Sequence, residues 1–328
     1  MADNRVILVG TIGQGVMRSR DAGETWQRVG INQGLHSDAL IRTLISNPTR
    51  PESLYAGTDK GLYRSEDAGE SWKLVDSPLS QFNVWALAMD PKDPSTMFAG
   101  TGTPTPAAIF RSRDSGKNWE RTPMEAAEEC PNVGIPRVTG IAIDPVDPRD
   151  IWVGLEVDGV RHSSDGGDTW STINGAIPNA DVHNVTVAAG PPKTVVVVVN
   201  NDVYTSTDNG GSWNQLGIKD VFPMTYPRGI MVQPGMPNVI FVTIGDSTPG
   251  RTGAIMRSQD TGKTWKSLPL PVEPNTAMWV VNSHPADPQV VFAGSRYGYL
   301  YRSEDGGESW EKLWREFSEI SSVLWIPS

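Results

Sequence analysis

The side chains best suited to chemistry in this sequence stand at two fixed distances before a recurring proline. Seven short segments of alternating apolar residues each end at such a proline. Eight positions before the proline stand Leu40, Asn83, Arg137, His183, Tyr226, Ala277 and Glu319. Six positions before it stand Arg42, Trp85, Thr139, Val185, Arg228, Trp279 and Ser321. Because side chains two residues apart share one face of a strand, both sets are predicted to point the same way.

These residue types suit the binding of a small anionic or sugar-like molecule. Arginines arranged across a pocket bind carboxylate, phosphate or sulfate groups through paired N–H donors. Flat indoles suit stacking on a sugar or another ring, and a histidine, tyrosine or glutamate beside them can transfer protons. The predicted catalytic residues are His183, Tyr226, Glu156 and Glu319. The predicted substrate-binding residues are Arg42, Arg137, Arg228, Trp85, Trp279, Arg296, Tyr297, Asn83 and Asp59.

Each of these predictions has a structural alternative. An arginine can simply pair with a glutamate of the neighbouring repeat, His183 can be a hydrogen-bonded structural residue, and the tryptophans can fill a channel. A divalent metal in a central channel, held by glutamate, aspartate, asparagine and histidine side chains, is a further hypothesis. No local spacing motif in the sequence supports that metal.

The elements that position these residues are indicated by an eight-residue motif, Ser-x-Asp-x-Gly-x-x-Trp, which we call the box. It recurs at 19–26, 65–72, 112–119, 163–170, 206–213, 258–265 and 303–310. A period of 40–50 residues is typical of β-propellers and related repeat proteins. Serine and aspartate side chains hydrogen-bond to nearby backbone in tight turns, and glycine supplies positive φ. The boxes lack the carboxylate spacing of an EF-hand, so we expect them to be structural.

Four strand-like segments surround each box, and we call them strands a to d. In the second repeat they are IRTLISN, SLYAGT, LYRSE and SWKLV, and the tryptophan of the box is expected to begin strand d. The sequence therefore predicts an all-β, seven-bladed β-propeller of four-stranded antiparallel blades. The N-terminal RVILVGT aligns with strand b and the C-terminal ISSVLWIP with strand a. This arrangement predicts that the C-terminal strand completes blade 1, closing the ring as one domain over residues 1–328.

This topology separates the boxes from the candidate site. The boxes form the c–d turns and share one face with the a–b turns, whereas the b–c and d–a loops open on the other face. The b–c loops add Glu156 and Arg296 to the candidate site. Two longer loops, at 102–108 and 245–253, are predicted to form a rim or lid there.

The boxes resemble the Asp-box, or BNR, repeats of sialidases, sortilin-type receptors, xyloglucan-cleaving enzymes and photosystem II assembly factors. The resemblance covers the whole chain and implies the propeller fold. For function it leaves three alternatives, because these families include hydrolases, receptors and assembly factors.

The first alternative is a small-molecule binding protein or an enzyme of the lyase or hydrolase type, acting at the central mouth opposite the boxes. The second is a non-catalytic scaffold or assembly factor with a protein partner. A sialidase or other glycoside hydrolase ranks last, because sialidases resemble this chain in their boxes but have six blades and a Phe/Tyr-Arg-Ile-Pro segment. Xyloglucan-cleaving enzymes of this type have two propellers in tandem, and this sequence supplies one.

The composition limits the classes of partner and the cellular location that we expect for this protein. The chain has 328 residues and a formal net charge of −10, which argues against nucleic acid as a partner. Its single cysteine, Cys130, excludes an internal disulfide. No apolar run is long enough to cross a membrane, and the N-terminal MADNRVILVG does not resemble a signal peptide. The expected location is therefore the cytoplasm.

Overall fold

The computed structural model describes residues 5–173 and 177–327, and these residues form seven four-stranded antiparallel sheets. The innermost strand of each sheet contacts the innermost strands of its two neighbours, so the sheets are arranged as blades around a central channel. The prediction of a seven-bladed propeller is thus confirmed. We number each blade by its box.

The strands of the blades follow one order, from the channel outward. From blade 1 to blade 7, the a strands are Glu319–Pro327, Ile41–Asn47, Val84–Met89, Val138–Ile143, Val182–Ala188, Tyr226–Val232 and Met278–His284. The b strands are Arg5–Ile12, Arg50–Thr58, Met97–Thr101, Ile151–Leu155, Thr194–Val199, Ile240–Gly245 and Asp287–Ser295. The c strands are Val16–Ser19, Gly61–Ser65, Ile109–Ser112, Gly159–Ser163, Asp202–Ser206, Gly253–Ser258 and Leu300–Ser303. The d strands are Gln27–Val29, Lys73–Leu74, Glu120–Arg121, Ser171–Ile173, Asn214–Gln215, Lys266–Leu268 and Glu311–Lys312.

In the described part of the chain, helices are confined to short turns between blades. Two 3-10 helices span Ile31–Gln33 and Pro78–Gln81, and a one-turn α-helix spans Ile218–Val221. Within the described part of the chain, no helix has the length and apolar character needed to cross a membrane.

The two ends of the chain share blade 1. The C-terminal strand Glu319–Pro327 pairs antiparallel with the N-terminal strand Arg5–Ile12, in a register that runs from Arg5 opposite Pro327 to Ile12 opposite Glu319. The predicted closure of the ring is therefore confirmed. The C-terminal strand thereby becomes the innermost strand of blade 1.

Each box folds through hydrogen bonds of its serine and aspartate, and the second box shows the pattern. Ser65 Oγ donates to Asp67 Oδ1 at 2.8 Å and accepts from the backbone N–H of Gly69 at 2.9 Å. Asp67 Oδ1 also accepts from the backbone N–H of Ser71 at 2.8 Å. Trp72 Nε1 donates to the carbonyl of Gly69 at 3.1 Å. The predicted hydrogen-bonding role of the serine and aspartate is confirmed.

The glycine of the box is required by its conformation and its surroundings. Gly69 has φ +78°, and a Cβ built there would lie 2.4 Å from Leu8 Cδ2 of the neighbouring blade. Ala68, the residue before it, also has positive φ, at 56°. The turn therefore needs two consecutive left-handed residues, and the repeated glycine indicated just one of them.

The tryptophan of the box does not begin strand d. Trp72 stands immediately before strand Lys73–Leu74, because its indole turns back to the carbonyl of Gly69. The ring is buried in a core cluster that contains Leu8 of blade 1 and Leu54 of blade 2. Its predicted packing between neighbouring blades is thus confirmed, although its predicted place in the strand is off by one residue.

Arginines join several neighbouring blades at the box face. In blades 1, 3, 6 and 7 the residue before the box serine is an arginine that donates to a backbone carbonyl of the next box around the ring. These bonds join Arg18 Nε to the carbonyl of Ala68 at 2.8 Å, and Arg257 Nη1 to that of Gly306 at 2.7 Å. The carbonyl belongs each time to the first left-handed residue of the box. The box face is therefore held together across blades as well as within them.

We expect the closing strand to contribute measurably to the free energy of unfolding. Trp325 is 2% exposed within that strand, whereas Trp314 is 63% exposed at the surface. We expect Trp325→Ala to lower the free energy of unfolding by about 3–5 kcal/mol, because it removes a buried indole and leaves a cavity. Chemical denaturation followed by circular dichroism measures the change. Trp314→Ala is the matched control, and equal effects of the two substitutions would contradict a stabilising role for the closure.

Candidate functional site

A β-bulge in the inner strand of every blade builds the wall of the channel. In blade 2, Ile41 pairs with Thr58 and Thr43 with Gly57, so Arg42 between them has no partner in the ladder. An unpaired bulge residue is turned out of the regular alternation of the strand. The side chains at these bulges all line the central cavity, and from blade 1 to blade 7 they are Ser321, Arg42, Trp85, Thr139, His183, Arg228 and Trp279.

Six of these seven residues stand six positions before the proline, as predicted, and blade 5 is the exception. There His183 occupies the bulge, whereas Val185 pairs with Val197 and is buried in the hydrophobic core. The turn of blade 5 carries two more residues, Ala189 and Gly190, before its proline. Counting back six positions from that proline therefore reaches the core residue Val185, whereas counting back eight reaches the channel residue His183.

The cavity lies on the face that carries the b–c turns and has a volume of about 430 Å³. The four predicted catalytic residues and six of the predicted substrate-binding residues line it. Its walls are formed by Ile12, Arg42, Trp85, Arg137, Val138, Thr139, Glu156, Asp181, His183, Asn184, Asn200, Tyr226, Arg228, Thr248, Trp279, Val280, Arg296, Glu319 and Ser321. The structure thus brings together most of the site that the sequence predicts.

Two indoles in the cavity are each stacked against two guanidinium groups. The Cζ atoms of Arg42 and Arg137 lie 3.9 and 4.5 Å from the ring centroid of Trp85. Those of Arg228 and Arg296 lie 4.4 and 4.7 Å from the centroid of Trp279. Such cation–π contacts stabilise the charged groups and fix their planes. The faces that were predicted to stack on a ligand ring are therefore largely occupied by arginines.

The four arginines differ in their acidic partners. Arg137 forms an ion pair with Glu156, and Arg296 pairs with Glu319 at 3.1 Å. Among the described residues, neither Arg42 nor Arg228 has an ion-pair or hydrogen-bond partner. Pairing with a glutamate therefore accounts for two of the arginines. The other two present their N–H donors to the cavity.

Burial acts on both of these unpaired arginines. It is the main cause that lowers the pKa of Arg42 to about 10. The negative charge of Asp59 raises this pKa, and the positive charge of Arg137 lowers it further. Burial likewise lowers the pKa of Arg228. Both guanidinium groups remain charged at neutral pH, at a cost in desolvation that an anionic ligand would offset.

His183 is a neutral histidine at neutral pH. Its Nδ1 lies 2.7 Å from the carbonyl oxygen of Pro227, which can only accept, so Nδ1 carries the proton. The ring packs edge-to-face on Tyr226 with centroids 5.0 Å apart. Burial, followed by the charge of Arg228, holds the pKa of His183 well below its usual range. Its Nε2 can therefore accept a hydrogen bond from a ligand, but the ring does not serve as an acid at pH 7.

Asp181 lines the cavity although the sequence analysis did not select it. Its Oδ2 accepts from Asn200 Nδ2 at 3.0 Å and lies 3.8 Å from His183 Nε2. Its Oδ1 is buried, and no hydrogen-bond partner for it is present among the described residues. Asp181 stands two positions before His183, so a correct count in blade 5 would have brought it to attention.

Three predicted substrate-binding residues lie outside the central cavity. Asn83 and Asp59 line a separate pocket between blades 2 and 3. Tyr297 is exposed at the rim, where Arg296 lies 6.0 Å from its ring centroid. The side chain of Asn83 is instead held by the blade 3 loop, where its Nδ2 donates to the carbonyl of Thr103 at 2.8 Å.

The two longer b–c loops position residues of the cavity wall. The carbonyl of Thr103, in the loop of blade 3, accepts from Trp85 Nε1 at 3.0 Å. Thr248, in the loop of blade 6, lines the cavity and accepts from Arg296 Nη1 at 2.8 Å. The predicted rim is thus present, and it supports the Arg–Trp stacks.

No three His, Cys, Asp or Glu side chains within residues 5–173 and 177–327 are grouped to hold a metal ion.

The sequence of this chain also matches the profile of a known protein family. The sequence profile described as "Sortilin, neurotensin receptor 3" matches residues 14–146 and 201–325, which is most of the chain. The chain belongs to the Sortilin-Vps10 family. The sortilin-type part of the resemblance is therefore confirmed, whereas the assignment of the boxes as Asp-box (BNR) repeats stays a prediction.

This Sortilin-Vps10 chain is also similar to curated xyloglucanases. It is 26% identical over 289 residues to xyloglucanase Xgh74A of Acetivibrio thermocellus, a match covering 72% of this chain and 33% of that protein. It is 28% identical over 346 residues to a xyloglucanase of Hypocrea jecorina, covering 89% of this chain and 40% of that protein. The chain thus spans well under half the length of these relatives.

Solved structures confirm the likeness in fold. The GH74 xyloglucanase from Xanthomonas campestris aligns with a TM-score of 0.64 at 22% identity, over 88% of this chain and 46% of that one. YCF48 bound to a D1 peptide aligns with a TM-score of 0.62 at 18% identity, over 89% of this chain and 87% of that one.

The neutral state of His183 predicts a pH dependence of stability. Below pH 6.5 an unfolded histidine takes up a proton that the buried ring does not, so stability falls as the pH falls. We expect a loss of up to about 1.4 kcal/mol per pH unit from this residue. Urea unfolding of the wild type and of His183→Gln between pH 7.5 and 5.0 measures it. Glutamine keeps a donor for the Pro227 carbonyl, and identical pH slopes in both proteins would contradict the assignment.

Proposed function

We propose that this protein binds a carbohydrate that carries a carboxylate or another anionic group, and that the anionic group occupies the central cavity. The observation that carries the proposal is the pair of guanidinium groups, Arg42 and Arg228, that face the cavity without an acidic partner among the described residues. A planar guanidinium offers two parallel donors that match a carboxylate.

The charge of the cavity supports an anionic ligand. The described residues that line it include four arginines and three carboxylates, and His183 is neutral. The chain as a whole has a net charge of −10. A locally positive cavity in an acidic protein concentrates anions at one place, while the remaining surface repels them.

The xyloglucanase relatives support a carbohydrate as the carrier of that anion. The cavity volume of about 430 Å³ suits one or two sugar units. Thr139, Asn184, Asn200 and Ser321 add neutral polar groups to its walls. Since arginines cover the indole faces, we expect recognition through hydrogen bonds to hydroxyl groups and through the anion, and less through ring stacking.

Among the three functions weighed on sequence, the relatives give the most support to the one ranked last, a glycoside hydrolase. Glycoside hydrolysis generally uses two carboxyl groups, one as acid and one as base or nucleophile. The cavity offers Glu156 and Glu319, each neutralised by an arginine, and Asp181, whose Oδ1 has no partner among the described residues. We propose Asp181 as the base or nucleophile. A lyase draws no support from these relatives.

A non-catalytic binder remains the second candidate, because the same arginines suit the carboxylate of a peptide. The YCF48 structure, which contains a D1 peptide, shares the fold with this chain. The cytoplasmic location and the single domain over residues 1–328 stay predictions. A binding screen with both sugars and peptides distinguishes the two candidates.

The anion site predicts the effect of removing either unpaired charge. We expect Arg42→Gln and Arg228→Gln to weaken binding of a uronic acid by roughly ten- to a hundredfold, because each removes a charge-assisted contact of about 1.5–3 kcal/mol. Isothermal titration calorimetry with D-glucuronic acid, xyloglucan oligosaccharides and carboxyl-terminal peptides measures binding. Arg113→Gln is the control, since Arg113 is exposed within the third box, on the opposite face. Unchanged affinity in both cavity variants would refute the proposed site.

The hydrolase proposal predicts a separation of turnover from binding at Asp181. We expect Asp181→Asn to reduce release of reducing ends from a cleaved substrate by at least about a thousandfold, which corresponds to loss of a catalytic carboxylate. Binding of the same substrate should change little, because the amide keeps an oxygen for Asn200. Asp220→Asn, on the surface helix, is the control. Full turnover in Asp181→Asn would reject this residue as base or nucleophile.

A further inference from the structure

A second pocket, of about 490 Å³, lies between blades 2 and 3 on the same face as the central cavity. We call it the side pocket. It is lined by Leu40, Arg42, Asp59, Lys60, Ser80, Gln81, Phe82, Asn83, Pro104 and Thr105. Arg42 lines both spaces and therefore connects the two pockets.

Asn83 provides the main evidence that the side pocket binds a ligand. Its Nδ2 donates to the carbonyl of Thr103 at 2.8 Å, and its backbone N–H donates to Thr105 Oγ1 at 3.0 Å. Because the Thr103 carbonyl can only accept, the amide orientation is fixed and Oδ1 must be its free acceptor. Asn83 is 2% exposed, and Oδ1 has no hydrogen-bond partner among the described residues. A buried acceptor without a donor is costly, so a ligand that supplies a donor would be favoured.

The other walls of the side pocket suit a polyhydroxylated ring. Asp59 Oδ1 accepts from the backbone N–H of Leu40 at 2.8 Å, and Asp59 Oδ2 lies 3.2 Å from Lys60 Nζ. The half-buried ring of Phe82 adds an apolar surface. Acceptors, a cationic donor and an aromatic surface in one pocket match the alternating hydroxyl groups and C–H faces of a sugar.

Arg42 links the side pocket to the anion site. Its Nε is buried, and no partner for it is present among the described residues. A ligand whose anionic group contacts Arg42 from the central cavity would therefore have its next unit directed toward Asp59 and Asn83. Continuity through one shared side chain favours one ligand over two unrelated ones.

We propose that the side pocket is a second sugar subsite, so that the ligand is an acidic oligosaccharide of at least two units. The acidic unit binds at Arg42 and Arg228 in the central cavity, and a neighbouring neutral unit donates a hydroxyl group to Asn83 Oδ1. This inference rests on the proposed carbohydrate-binding function and extends it to the size and composition of the ligand.

Calorimetry with matched sugars tests the subsite. The probes are D-glucuronic and D-galacturonic acid, and disaccharides that join either acid to glucose, xylose or rhamnose. We expect at least one disaccharide to bind the wild type roughly tenfold more tightly than its own uronic acid. Gln81→Trp, which places a bulky ring at an exposed wall of the side pocket, should abolish that gain and leave the uronic acid affinity unchanged. Lys73→Trp, on the exposed outer strand of blade 2, is the matched control.

Asn83→Ala gives a second measurement. It should reduce the gain of the best disaccharide over its own uronic acid by about five- to tenfold. If uronic acids bind but no disaccharide binds more tightly, or if the gain survives Gln81→Trp, the subsite is refuted while the proposed function stands. If neither uronic acids nor disaccharides bind, the proposed function and the subsite fail together.

Discussion

The β-bulge in the inner strand of each blade is the constraint on which the site depends. A regular strand would send every second side chain into the packing between blades, whereas the bulge frees one residue from the ladder and turns it to the channel. In this chain that residue is charged or aromatic in five of seven blades, at Arg42, Trp85, His183, Arg228 and Trp279. The backbone thus directs one side chain of each blade into the cavity.

Stability and ligand binding are assigned to opposite faces of the propeller. At the box face, serine–aspartate turns, buried indoles and arginines such as Arg18 and Arg257 hold neighbouring blades together. At the other face the b–c and d–a loops are not needed for that framework, so they can differ in length and sequence from blade to blade. Repeats that are nearly identical in their boxes can therefore surround a cavity with no internal symmetry.

The cavity holds four arginines near one another, and their mutual repulsion has to be offset. Trp85 and Trp279 each accept two guanidinium groups on their electron-rich surface, and two glutamates neutralise Arg137 and Arg296. Arg42 and Arg228 are left as half-buried charges with reduced pKa. Held in place by the indoles, they are arranged for an anion before it arrives, so little ordering is needed on binding.

The sequence by itself determined the blade number, the closing strand and most of the channel residues, because these depend on repeated local patterns. In blade 5 the two extra turn residues put Val185 in the set six positions before the proline and His183 in the set eight positions before it, so Asp181 was not selected. The sequence also could not show that Arg137 forms an ion pair with Glu156, whereas Arg42 has no acidic partner among the described residues. It could not show that the Thr103 carbonyl leaves Asn83 Oδ1 unpaired. Only the tertiary structure decided the last two points, since each depends on which loop of a neighbouring strand or blade lies within hydrogen-bond distance.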